Sequence, residues 1–184
     1  MDLATKIKLY FAHKELKKAL KVPRRVAYPN MSDVKNILVL FKSDENERNE
    51  ALKKIVAEMR LKGQKAYLWG YLPTKKGPDT PIRPEYRLFG QGDLNHIGLP
   101  NKALTEELRL ISYDVVISLD LEDSLVLDYL LLNARSRFRA GRKRSIKGLA
   151  DLMIEMNEET SAEYLMEQIL KYLNSIQPKE ELKS

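Results

Sequence analysis

The chain has 184 residues, 43% hydrophobic and 32% charged, with no cysteine and two histidines. That composition suits one soluble α/β-sized domain and excludes disulfides, thiol nucleophiles, cysteine-based metal or iron–sulfur centres and multi-histidine metal sites. The net charge of +6 is uneven: residues 1–35 hold nine basic and three acidic side chains, a net of +6, and the remainder balances at 23 of each. The basic character therefore belongs to an N-terminal appendage, and nucleic acid is not the expected partner of the domain.

Residues 2–21 read as a helix. Leu9, Ala12, Leu16, Ala19 and Leu20 share one face, opposite Lys14, Lys17, Lys18 and Lys21. In the first turns Leu3, Ile7, Tyr10 and Phe11 gather nearly opposite that stripe. A helix with two apolar stripes touches two things, so the Leu9–Leu20 stripe is expected to dock on the domain and the other to meet a second chain. A lipid surface ranks lower, because it needs one amphipathic face. Pro23 and Pro29 bracket a basic linker.

The run 36–42, NILVLFK, is continuously apolar and reads as a buried strand. Asp44 with Glu47 has capping-box spacing, and Gly63 ends the following helix. With a strand at 66–72 this makes a βαβ unit and a parallel pair. Four prolines in 73–85 mark an irregular loop. A short strand at 86–89, a turn-rich stretch 90–100 and a helix from about 101 to 111 follow.

The segment YDVVISL, 113–119, is the clearest strand. The next helix, 123–135, is apolar on nearly every side, interrupted by Asp128 and Asn133, and needs cover beyond its own sheet. Strands at 137–141 and 149–156 and a helix capped by Thr160 complete the alternation, and 178–184 reads as a frayed tail. The pattern predicts a three-layer α/β fold: a mainly parallel Rossmann-like sheet with helices on both faces and an added N-terminal helix. The expected division is 1–30 helix and linker, 31–177 domain, 178–184 tail.

The chemistry is sparse. The first strand–helix loop, 42–47, has no glycine and three acids, so a nucleotide phosphate or dinucleotide cofactor is not expected there, and none is expected elsewhere. Gly90-Gln91-Gly92 begins like a dinucleotide fingerprint, but Gly98 and Pro100 forbid the helix that should follow. As a ligand-gripping loop it would use Asp93, Asn95 and His96. Acids follow two strands: Asp44, Glu45 and Glu47, then Asp120, Glu122 and Asp123. If those strands are adjacent, the acids border one crevice and could hold Mg²⁺. As helix-start residues, Asp44 and Asp123 would instead be N-caps. Arg135, Arg137, Arg139, Arg142, Lys143 and Arg144 form a second basic run, read as a solvated region facing the acids of 151–167.

Over residues 1–175, the basic leading helix, the stretch Asp93-Leu94-Asn95-His96-Ile97-Gly98-Leu99-Pro100, and YDVVISLDLEDS followed by NARSRFRAGR resemble an uncharacterised conserved bacterial family of Bacteroidetes type. His96 stands where that family carries an aromatic. The resemblance implies a fold and no activity. Over about thirty residues, YDVVISL–helix–ARSRFRAGR is also similar to the N-terminal half of heptosyltransferase-type glycosyltransferases, which implies architecture, since those enzymes need a second α/β domain. The expectation is a non-catalytic cytoplasmic module, without cofactor, resident metal or disulfide, that self-associates as a dimer. The alternative is a small Mg²⁺-dependent enzyme acting on a phosphate-bearing substrate. Candidate ligand residues are Asp44, Asp93, Asn95, His96, Asp120 and Asp123; the candidate interaction surface is Leu3, Ile7, Tyr10 and Phe11.

Overall fold

A computed structural model describes residues 2–43, 50–74, 85–157 and 161–175. Six strands, β1 (Asn36–Lys42), β2 (Lys65–Tyr71), β3 (Tyr86–Phe89), β4 (Ser112–Ser118), β5 (Arg135–Arg142) and β6 (Leu152–Ile154), form one sheet in the order β3-β2-β1-β4-β5-β6. Every adjacent pair is parallel. This is a Rossmann-like arrangement, and β1 and β4 are its two central strands. Their apolar runs require this placement: Ile37–Phe41 and Val115–Ile117 are buried throughout, so both faces must be covered.

The pleat sends alternate residues to two cores. Leu38, Leu40, Tyr67, Trp69 and Val116 face α1 (Leu3–Leu20), α3 (Lys102–Arg109) and α4 (Leu125–Asn133). Ile37, Val39, Phe41, Val115 and Ile117 face α2 (Glu50–Leu61) and α5 (Ala162–Ser175). Register locks this division, with Leu38 level with Tyr67 on one side and Val116 on the other. At Gly70 in β2, an added Cβ would lie 2.6 Å from Leu88 Cδ2 and 2.7 Å from Phe41 Cζ. β2, β3 and β1 are therefore packed too closely there for a side chain.

The ends of α2 and α3 follow local chemistry. Gly63 sits at φ 79°, and the N–H groups of Gly63 and Gln64 return to the carbonyls of Arg60 and Met59 at 2.9 and 3.1 Å. This is the paired closure that glycine permits at a helix C-terminus. Asn101 caps α3 by accepting from Leu104 N–H at 2.9 Å. The capping pair at Asp44 and Glu47 and the prolines at 78, 81 and 84 lie outside the described residues; the last helix is capped not by Thr160 but by Ser161, whose hydroxyl accepts from Tyr164 N–H at 3.2 Å.

The all-round apolar character of α4 is explained by its cover. One side packs on β1 and β4, another on α3, and the outer side on α1. Ala12 and Leu16 of α1 are buried there, and Ala19 and Leu20 pack on the same cluster. The added helix thus makes a fourth layer over one face. The linker then crosses to the other face: Ala27 N–H donates to Arg137 O at 3.1 Å, the Tyr28 ring lies 5.3 Å from that of Phe138, and Val34 enters the second core.

Three elements differ most from the sequence expectation, the others by one or two residues at an end. α4 runs 125–133 rather than 123–135, because Ser124, not Asp123, is its N-cap, its hydroxyl accepting from Leu127 N–H. Asp123 adopts φ 62°, which no helix start allows. β5 is longer than expected at 135–142, and β6 shorter at 152–154.

Burial separates the two stripes of α1 energetically. Leu16→Ala should cost about 2–4 kcal/mol of stability by cavity formation, and Leu3→Ala close to nothing, in urea unfolding followed by circular dichroism.

Candidate functional site

The strand order switches sides between β1 and β4, with β2 and β3 laid outward from one and β5 and β6 from the other, and the crevice beyond their C-terminal ends is where open α/β sheets bind ligands. The described residues lining it come from three places: Lys42 and Ser43 after β1, the 119–124 turn after β4, and the 142–144 segment after β5. Asp44 lies outside the described residues, so the acidic pair Asp44/Asp120 is not assembled in what the structure describes.

Asp120 is buried and fully engaged. Its Oδ1 accepts from Glu122 N–H at 3.1 Å, and its Oδ2 accepts from Ser124 N–H at 2.6 Å and from Arg144 Nη1 at 2.8 Å. The carboxylate shapes the β4–α4 turn and helps force Asp123 into its left-handed conformation. Arg144 goes further inward. Its side chain is 4% exposed and grips Asp128 with both nitrogens, Nη1 to Oδ1 at 3.0 Å and Nη2 to Oδ2 at 2.9 Å, while Nε lies 2.6 Å from Asp123 Oδ1. Arg142 makes a second pair with Asp123. At the rim Lys42 pairs with Glu122.

Three carboxylates thus meet two guanidinium groups, with one negative charge in excess. Asp128, with no exposed surface, bears the cost: burial pushes its carboxyl up to about 7, against the pull of Arg144 and with Asp120 and Asp123 adding to the rise. Among the described residues no group of three or more histidines or carboxylates is placed to hold a metal ion. The Asp120–Asp123 cluster is instead neutralised from within by arginine.

The second basic run divides: Arg135, Arg137 and Lys143 are exposed as expected, with Lys143 paired to Glu155, whereas Arg139 and the Arg144 side chain are buried. Arg139 is buried; its Nη2 donates to Leu132 O at 2.7 Å and its backbone N–H to Asp151 at 2.9 Å, while Arg24 of the linker pairs with the same Asp151. Burial, with Arg24 nearby, pulls the Arg139 guanidinium down to about 10. Tertiary packing turned Arg139, Arg142 and Arg144 toward Asp120, Asp123, Asp128 and Asp151.

The other candidates lie elsewhere. Asp93 accepts from Gly90 N–H at 2.9 Å and pairs with Arg87 at 3.2 Å, which closes the turn after β3. Asn95 Oδ1 accepts from Ile97 and Leu99 N–H at 3.0 and 3.1 Å. His96 is exposed on that turn. Asn95 and His96 border a groove against α1, away from the Asp120 cluster. Leu3, Ile7, Tyr10 and Phe11 remain 73%, 48%, 66% and 45% exposed on the side of α1 turned from α4. Sequence reasoning missed Arg144 and Asp128. The available signal was Asp128 itself, a lone carboxylate on the buried face of an apolar helix, which demands a cation.

Comparison with known proteins gives a family match: a family of unknown function (DUF6913) matches residues 8–176. No curated protein matches, and no solved structure matches.

Removing one member of the ion cluster leaves buried carboxylates unpaired. Arg144→Met should destabilise the fold by about 3–5 kcal/mol in urea. Between the ordinary value of 3.8 and about 7, folded Asp128 retains a proton that the unfolded chain has lost. Stability from this group therefore falls as pH rises through that window. Asp128→Asn should flatten that slope in thermal unfolding measured from pH 4 to pH 7.

Proposed function

Because the chain belongs to that family of unknown function, which carries no chemistry to it, we propose a role from its own surface: a non-catalytic interaction module that self-associates through the outward face of α1. The observation that carries this reading is the division of α1, whose Ala12–Leu16 side is buried on α4 while Leu3, Ile7, Tyr10 and Phe11 stay open to solvent. Four large apolar side chains side by side on one helix, two of them in edge-to-face contact with centroids 5.5 Å apart, form a contact patch rather than scattered exposure.

The patch is self-complementary under a two-fold axis. A crossing at Ile7 sets Leu3 of one chain against Phe11 of the other and Tyr10 against Ala4. It also sends Lys14, Lys17, Lys18 and Lys21 away from each other and leaves Lys6 of one chain level with Lys8 of the other at the flanks of the crossing. Two-fold pairing is the commonest closed solution for such an isologous patch.

The switch-point crevice supports the same reading. A divalent cation at Asp120 or Asp123 would have to displace Arg144, whose charge already satisfies a fully buried carboxylate. The Mg²⁺-dependent alternative has no such observation in its favour. A bacterial origin of Bacteroidetes type belongs to this proposal, and the heptosyltransferase-like stretch enters it as architecture alone, with no transfer of activity. Among the described residues no helix is long and apolar enough to cross a membrane, and the cytoplasm is the proposed address of this cysteine-free chain.

Sedimentation velocity at high micromolar concentration tests the proposal. The intact chain should run as a dimer, and Ile7→Glu with Phe11→Glu as a folded monomer with unchanged circular dichroism. A monomeric intact chain removes the self-association.

A further inference from the structure

The outward half of α1 borders a groove. Ala4, Ile7 and Phe11 form one wall; Ile97, Leu99 and Tyr129 belong to the other. The space between them is about 820 Å³, within the range of about 300–1,000 Å³ typical of small-molecule sites. It extends along α1 to Glu15, a length of about 16 Å at the helical rise.

The polar groups on this groove are mostly hydrogen-bond donors. Lys8 contributes an ammonium group from the α1 wall and His96 an exposed imidazole from the turn. Asn95 has its Oδ1 committed to the N–H groups of Ile97 and Leu99, so what it can offer a ligand is its amide N–H. The carboxylate on the groove, Glu15, is paired with Lys18 at 2.6 Å. The surrounding segment 1–35 carries a net +6 on a domain that is otherwise neutral. Apolar walls under a donor rim, in a positive field, select a molecule with an apolar body and an anionic head.

We propose that this groove binds a single anionic amphiphile, of which an acyl carboxylate is the simplest member. The chain would lie against Ile7, Phe11, Ile97 and Leu99, and the carboxylate would face Lys8 and His96. A second copy of α1 would cover the same Ile7–Phe11 wall, so the amphiphile and self-association compete for it. The inference does not rest on self-association: Ile7 and Phe11 are common to both, while the other wall, Ile97, Leu99 and Tyr129, lies off the outward patch.

Isothermal titration of the full chain with dodecanoate, and separately with 1-dodecanol, tests it, both kept below their micelle and solubility limits. Saturable binding of one dodecanoate per chain is expected. Ile97→Glu, which places a like charge in the groove, should weaken dodecanoate binding at least about tenfold while the circular dichroism spectrum is retained. Lys8→Gln, at an exposed position that cannot unfold the domain, should weaken dodecanoate about threefold and leave dodecanol unchanged. Three results each overturn the proposal: no saturable dodecanoate binding by the intact chain, binding that survives Ile97→Glu, or a Lys8→Gln effect equal for acid and alcohol. Sedimentation of the same samples reads self-association separately, so either reading can fail while the other stands.

Discussion

A carboxylate inside an apolar helix is the constraint from which much of this structure follows. Asp128 sits on the fully buried side of α4, where an unpaired charge would be intolerable. Arg144 resolves it, reaching back from beyond β5 to grip both carboxylate oxygens. The same guanidinium also contacts Asp120 and Asp123, so one side chain ties the end of β4, the start of α4 and the segment after β5 into a unit. Such clusters contribute less to net stability than to fixing a geometry, since desolvation offsets much of the Coulomb attraction. What is fixed here is the seat of α4.

The seat of α4 in turn determines the outer layer. α4 is too short and too apolar to stand as a surface helix, with Val126, Leu127, Leu130, Leu131 and Leu132 all buried. α1 supplies the missing cover through Ala12 and Leu16, and its remaining length carries Leu3, Ile7, Tyr10 and Phe11 into solvent. The linker that must return the chain to the sheet runs along the N-terminal part of β5, which β6 does not reach, and Arg24 anchors it on Asp151. Charge and packing thus cooperate: arginines hold the far end of the sheet, and the added helix covers what they position.

This distribution bears on function. The crevice that an open α/β sheet offers at its switch point is, in the described residues, lined by ion pairs, among which Arg142 Nε is buried without a hydrogen-bond partner. A cluster of exposed apolar side chains lies on α1, with the 95–99 turn beside it. The fold's usual ligand position and this chain's most adhesive surface are therefore different places, which is why fold-level analogy is a poor guide to its chemistry.

The sequence by itself determined the strand and helix alternation, the central place of β1 and β4, and the two-sidedness of α1. These follow from hydrophobic periodicity over contiguous residues, which the backbone converts directly into faces. It also determined the glycine closure of α2, because that requirement is local. Helix ends set by one side chain were less legible: Asp123 and Ser124 are both good caps, and the choice between them was made by the Asp120 carboxylate drawing in two backbone N–H groups. The fate of the basic run 135–144 was legible only for its exposed members Arg135, Arg137 and Lys143. Whether an arginine is solvated or buried depends on carboxylates sixteen to twenty-four residues away for Arg144, and on a linker more than a hundred residues earlier for Arg139. Only the tertiary structure could decide that, because charge pairing acts through space between segments whose order along the chain carries no record of their distance.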